Sequence, residues 1–326
     1  MEVNRFGRTS LNVSLLTFGC GAVGGLMTKG TPKDQDYAVA WARDHGINHF
    51  DTAPSYGNTI SETNLGRSLG SYRDGIIVST KVGFTKEELL DIGNSAQKSL
   101  EASLKRLRQD HVDIFQLHNT VNDATAKDVI TVTQVMDEVV SAFTKLQEKG
   151  MARYLGFTAK GDTDSLHALL KPGVFDSSQV FYNLLIPSAG EATPENYPGQ
   201  DYRQLLQACK DAGVGTIGVR ILAGGALSGS ERRHSLGMPH VTPIGSGIDY
   251  RTDVKRSQYF NQLIDQGYAD SLPELSVRFS ISHEAVSTVE IGIASNEELQ
   301  IATRAINKGP LANDALLKIK NIQSTF

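Results

Sequence analysis

An aspartate, a tyrosine, a lysine and a histidine (Asp51, Tyr56, Lys81 and His118) are the residues of this chain whose types and spacing can do chemistry together. Asp51 follows the apolar run Asn48–Phe50, Lys81 follows Gly75–Ser79 and His118 follows Val112–Leu117, with Tyr56 in the loop after Asp51. Taken singly, each has an ordinary structural explanation: a turn cap, a packed ring, a solvated strand end, a satisfied core histidine. On the ends of consecutive strands they would meet, and the chemistry they then support is proton transfer to an oxygen. Hydride addition to a carbonyl leaves an alkoxide that needs a proton. A tyrosine hydroxyl supplies it if its pKa falls from about 10 toward the working pH. An ammonium at Lys81 favours the phenolate, Asp51 holds Lys81 in place, and His118 donates to the substrate oxygen. No metal is required.

The elements that must position these residues are legible as strand-length apolar runs at Leu15–Phe18, Asn48–Phe50, Gly75–Ser79, Val112–Leu117, Tyr154–Phe157, Gln179–Tyr182, Gly215–Val219 and Thr288–Gly292. Between them lie residues at helical spacing, such as Leu100, Leu104 and Leu107 or Val135, Val139 and Phe143, and Gly46 and Gly150 stand where helix C-caps belong. Alternation repeated this often predicts an α/β fold, a closed (β/α)8 TIM barrel forming a single domain over 1–326, whose strand ends converge on one mouth. Two short alternating runs around Gly7-Arg8-Thr9-Ser10 predict an N-terminal β-hairpin ahead of it. The longest stretch without a strand, Leu222 to Ala269, follows the seventh strand and is expected to be a mobile lid or a substrate loop.

Composition excludes several classes. The net charge is −4 with a pI near 6.1, which offers no basic field for nucleic acid. The apolar runs are of strand length, far short of the ~20 residues of a membrane span, and Met1 to Gly7 has no export-signal pattern, so a cytoplasmic protein is expected. Cys20 and Cys209 are expected to be reduced structural thiols, and no Cys/His cluster has metal spacing.

Gly19-Cys20-Gly21-Ala22-Val23-Gly24 matches G-x-G-x-x-G, but the segment Met27 to Pro32 reads as loop and helical spacing starts only near Asp34. A Rossmann site needs the helix to open within the motif. The glycines instead let backbone approach a ligand at the mouth of the first strand, or make a tight turn.

Phe50-Asp51-Thr52-Ala53-Pro54-Ser55-Tyr56-Gly57, with Ser61-Glu62 and Leu65-Gly66 behind it, resembles the signature of the aldo-keto reductases, and Ser79-Thr80-Lys81 and Gln116-Leu117-His118 fall where that family has its lysine and histidine. The resemblance continues through Leu155-Gly156-Phe157-Thr158, Gln179-Val180-Phe181-Tyr182-Asn183 and Leu222-Ala223-Gly224-Gly225. It implies a (β/α)8 barrel that moves a hydride between NADP(H) or NAD(H) and a carbonyl or alcohol substrate (an aldehyde, ketone or sugar), with Tyr56 as acid or base. It implies that Gln179 and Thr158 hold the nicotinamide carboxamide and that Val219, Arg220 and Leu222 line the cofactor. Asp51 and the loop Gly21, Ala22 and Val23 are expected against the same cofactor, and Gly292, Ile293, Ser295 and Glu298 around its adenosine end. Ala159 replaces an asparagine common in the family, and Val219-Arg220-Ile221 replaces aromatic-Ser-Pro. Arg220 steadies a phosphate or a substrate anion, or pairs with a neighbouring carboxylate. After the eighth strand, Gly292 to Glu298 carries no basic residue to clasp a 2′-phosphate, with Ser295, the helix N-terminus and Arg304 as the candidates to compensate. A nucleotide-binding redox sensor or regulatory barrel with little turnover is the alternative, and a metal-dependent or phosphosugar barrel enzyme a further one.

Overall fold

Strands covered on both faces read as continuous apolar runs, and β6 (Val112–Leu117) is buried along its whole length. The computed structural model describes residues 1–122, 129–171, 173–247 and 249–326. A hairpin of β1 (Val3–Arg5) and β2 (Asn12–Ser14) precedes β3 (Leu16–Gly19), β4 (His49–Asp51), β5 (Ile77–Val82) and β6. A minor parallel pair, β7 (Thr120–Val121) and β8 (Val129–Ile130), intervenes before β9 (Ala152–Thr158), β10 (Ser177–Phe181), β11 (Gly215–Val219) and β12 (Thr288–Gly292). Strands β3, β4, β5, β6, β9, β10, β11 and β12 pair in that order, all parallel, and β12 closes on β3. This is a (β/α)8 barrel, and all eight expected strands belong to it. β5 runs further than its apolar run, because Ser79, Thr80 and Lys81 continue the ladder opposite Ile114, Phe115 and Gln116.

The helices follow from their apolar stripes and caps. Ile92–Leu107 buries Ile92, Ala96, Leu100, Leu104 and Leu107 on one face, and Asp91 caps its first turn by accepting from the Asn94 amide. Pro32–Asp44 starts with Thr31 as N-cap and proline at its first position, and ends at Gly46 with φ +81°. One helical turn, Leu26–Lys29, lies where loop was expected. Gly25 enters it with φ +95° and the Leu26 amide donates to Ile293, so a contact with β12's exit, invisible in local sequence, sets it.

The hairpin plugs the N-terminal end of the barrel. Phe6 is fully buried against Gly215, where an added Cβ would lie 2.7 Å from the ring. At the opposite end, the segment after β11 holds a 3-10 turn, Ala223–Ser228, and the helices Tyr250–Gln258 and Asn261–Asp265. It is pinned rather than free. Arg233 donates to the carbonyls of Gly224 and Met238 and, at 3.1 Å, to the Tyr250 hydroxyl. Cys20 and Cys209 are buried free thiols. Among the described residues no helix is long and apolar enough to cross a membrane.

Candidate active site

The four expected residues meet at the C-terminal mouth. Asp51 is the last residue of β4, Lys81 lies inside β5 rather than beyond it, and His118 follows β6, its amide donating to Val82 at 2.8 Å. Because strand side chains alternate, Lys81 points into the barrel and is fully buried with Asp51. Its Nζ forms a salt bridge to Asp51 Oδ2 and donates to the Thr52 carbonyl at 2.9 Å. Asp51 Oδ1 also accepts from Ser79 at 2.6 Å and from Gln116 at 3.2 Å. Tyr56 sits on the turn after β4. Lys81 Nζ is 4.8 Å from its ring centre, and the His118 ring meets it edge-on at 6.1 Å and 86°.

The charges of this cluster are set by burial first. Burial pushes Lys81 down, but the Asp51 carboxylate beside it holds its ammonium above the ordinary lysine range. His118 is lowered to about 3 by burial and by repulsion from Lys81 and Lys160, so it is neutral at physiological pH and one ring nitrogen donates. Tyr56 departs from the sequence expectation. Burial raises its phenol above 10 and outweighs the pull of Lys81, so the free protein holds a protonated hydroxyl rather than one drawn toward neutrality. An acid waiting for an alkoxide needs that form.

Glu290, which the sequence reading passed over, completes the buried group. It lies in β12, and Gln179 Nε2 donates to its carboxyl at 2.8 Å while Thr158 donates to Gln179 Oε1 at 3.0 Å. Burial, then the Asp51 charge, raises Glu290 well above 4.5 and favours its protonated form. A lone carboxylate in Thr-Val-Glu-Ile-Gly was the available signal, because a barrel strand has no solvent face to explain it. The raised value has a sign. An unfolded chain releases this proton near 4.5 while the folded one keeps it, so Glu290 erodes stability as pH rises from 4.5 toward its folded value. Glu290→Gln keeps an acceptor for Gln179 and cannot ionise. It should gain on the wild type across that window by up to about 1.4 kcal/mol per pH unit. Urea midpoints compared at about pH 5 and about pH 8 check this, and a difference that does not grow with pH would mean that Glu290 is ionised in the fold.

The other expected residues fall around the same mouth. Gly21 lies against Tyr56, an added Cβ being 3.6 Å from its ring, and Gly24 lets β12's exit approach so closely that a Cβ would lie 2.4 Å from the Ile293 amide. The glycines therefore serve close backbone approach. Val219 ends β11 and Arg220 follows it, with no carboxylate of the described residues paired to its guanidinium, so the ion-pair option for Arg220 is not realised there. Ser295 caps the helix Asn296–Asn307, and Glu298 folds back to accept from the Ala294 amide at 3.0 Å. Arg304 is exposed in that helix's last turn. Six residues past Glu298, it stands about 9 Å further along the axis, and so compensates poorly for a missing base at the N-terminus.

Gln179 offers groups that fit a nicotinamide carboxamide. With its two bonds made, Gln179 retains an Nε2 hydrogen and a lone pair on Oε1, which suit a carboxamide. Among the described residues no group of three or more His, Cys, Asp or Glu could hold a metal ion. A recess of about 780 Å³, lined by residues such as Asn48, Asp74, Asp110 and Arg153, opens at the other end of the barrel, away from all four site residues.

Known proteins agree with the fold. The family model described as the aldo/keto reductase family matches residues 15–324. An L-galactose dehydrogenase of Arabidopsis thaliana is 27% identical over 316 residues, 94% of this chain and 89% of its own. A probable voltage-gated potassium channel subunit beta of the same plant is 28% identical over 99% of this chain and 96% of its own. The holo form of an aldo-keto reductase from Bacillus halodurans superposes with a TM-score of 0.72 at 23% identity, covering 99% of this chain and 96% of that one.

Proposed function

Because the chain belongs to the aldo/keto reductase family, we propose that it moves a hydride between NADP(H) or NAD(H) and a small carbonyl or alcohol substrate, with Tyr56 as the proton donor or acceptor. The observation that carries this reading is the convergence of Tyr56, His118 and the Lys81–Asp51 pair on one point of the barrel mouth. A bound nicotinamide supplies or accepts the hydride. The chain does the rest. In reduction, neutral His118 and the Tyr56 hydroxyl both donate to the carbonyl oxygen and fix its position. The Tyr56 proton passes to that oxygen as negative charge builds on it, and the Lys81 ammonium stabilises the phenolate left behind. Asp51, buried beneath, keeps Lys81 charged. In the reverse direction the phenolate takes the proton of the alcohol. Thr158 and Gln179 hold the carboxamide, and Glu290 fixes Gln179 from below.

The nucleotide preference should be weak. Where a basic residue would meet a 2′-phosphate, this chain has Glu298 turned onto its own loop amide. One missing charge-assisted contact corresponds to about 1.5–3 kcal/mol, or roughly 10–150-fold in affinity. The kcat/KM values for NADPH and NADH on one aldehyde are therefore expected to differ by less than about 100-fold. A preference beyond about a thousandfold would mean that a base from elsewhere grips the phosphate.

A further inference from the structure

Two cations stand at the barrel mouth with neither a counter-charge nor a side-chain hydrogen bond among the described residues. Lys160 lies two residues past β9 and Arg220 directly follows β11, and both are partly buried. Neither side chain makes an ion pair or a hydrogen bond with a described residue. Of the cations around them, Lys81 is paired with Asp51, and Arg233 hydrogen-bonds Gly224, Met238 and Tyr250 without a carboxylate partner among the described residues.

Arg220 is placed there by construction. Its φ is +58°, in the left-handed region that non-glycine residues avoid. Its carbonyl accepts from Asn183 Nδ2 at 2.7 Å and from the Ala223 amide at 2.7 Å, which brace that conformation. Gly224 clears a path for the guanidinium, since an added Cβ would lie 2.8 Å from Nη1. Burial, then Arg220, lowers Lys160; Lys160 in turn helps to lower His118; and Arg220 is itself lowered, by burial first and also by Arg233. Two like charges held together and half desolvated oppose the free fold until an anion arrives between them.

We propose that Lys160 and Arg220 form an oxyanion subsite for the substrate, which is accordingly a carbonyl compound bearing a carboxylate or phosphate a short chain away from the reacting carbon. The proposal rests on the function given above for Tyr56 and His118. A pyrophosphate is the competing anion, and nucleotide affinity in the variants tells the two apart.

The test compares succinic semialdehyde with butanal, which share chain length and reacting group and differ in the carboxylate. The wild type should favour the anion in kcat/KM by about 10- to 150-fold for each charge-assisted contact. Lys160→Met and Arg220→Gln should each collapse that ratio by about tenfold or more, and Lys160→Arg should retain most of it. Nucleotide affinity, titrated separately, should move little in Lys160→Met. Equal use of both aldehydes by the wild type, or loss of nucleotide affinity with the ratio intact, overturns the proposal, the second outcome assigning the cations to the pyrophosphate. Should neither aldehyde turn over, the function proposed above is what fails. Calorimetry then reads the subsite directly: succinate should bind the wild type and be lost in Lys160→Met, and equal binding to both, or none to either, overturns it.

Discussion

Tyr56→Phe is expected to lower kcat by about 100- to 10,000-fold, the range of general acid–base catalysis, while leaving nucleotide affinity close to the wild-type value. The substitution deletes the hydroxyl and keeps the ring that packs against Gly21 and meets His118 edge-on. It therefore removes the proton donor without reshaping the mouth. His118 cannot take over, because burial and the nearby cations hold it at about 3 and leave a neutral imidazole, a far weaker acid than its protonated form. Steady-state rates with a fluorescence titration of the nucleotide separate the two quantities. Near-native turnover in Tyr56→Phe would assign the proton to another group.

Lys81→Met is expected to abolish turnover and also to destabilise the fold by about 3–5 kcal/mol, the cost of leaving a buried carboxylate unpaired. Asp51 is fully buried, and after the substitution only Ser79 and Gln116 would still donate to it. Adding Asp51→Asn removes the stranded charge. The double variant should recover most of the lost stability and none of the activity. Urea denaturation of the single and double variants measures the first, and a rate assay the second. Equal stability of Lys81→Met and the wild type would mean that Asp51 takes up a proton at little cost when its partner is gone.

These effects trace to features of unequal visibility in the sequence. The barrel was legible because its strands are buried on both faces, so Val112–Leu117 and Thr288–Gly292 stand out as apolar runs whatever surrounds them. Asp51, Tyr56 and His118 were legible because they stand at or just past such runs, where parallel strands of a barrel converge. The strand that carries Lys81 was ended too early, at Ser79: Thr80 and Lys81 look like residues past a strand's end, yet they keep pairing with β6. What stayed hidden depends on contacts across the fold. Glu290 is meaningful only beside Asp51 and Gln179, residues 239 and 111 positions away in the chain. Lys160 draws its meaning from Arg220, and nothing local marks either as unpaired. The direction of the Tyr56 shift was missed for the same reason, since a neighbouring ammonium can be guessed from motif spacing but the depth of burial that outweighs it cannot.

The central claim is that this barrel transfers a hydride rather than merely binding a nucleotide. Incubation of the protein with an aldehyde and a reduced nucleotide deuterated at its transferable position, followed by mass analysis of the alcohol, tests it most directly. The account predicts one deuterium on the former carbonyl carbon, with the transfer strongly slowed in Tyr56→Phe. Tight nucleotide binding with no deuterium in any alcohol, across neutral and anionic aldehydes alike, would contradict it.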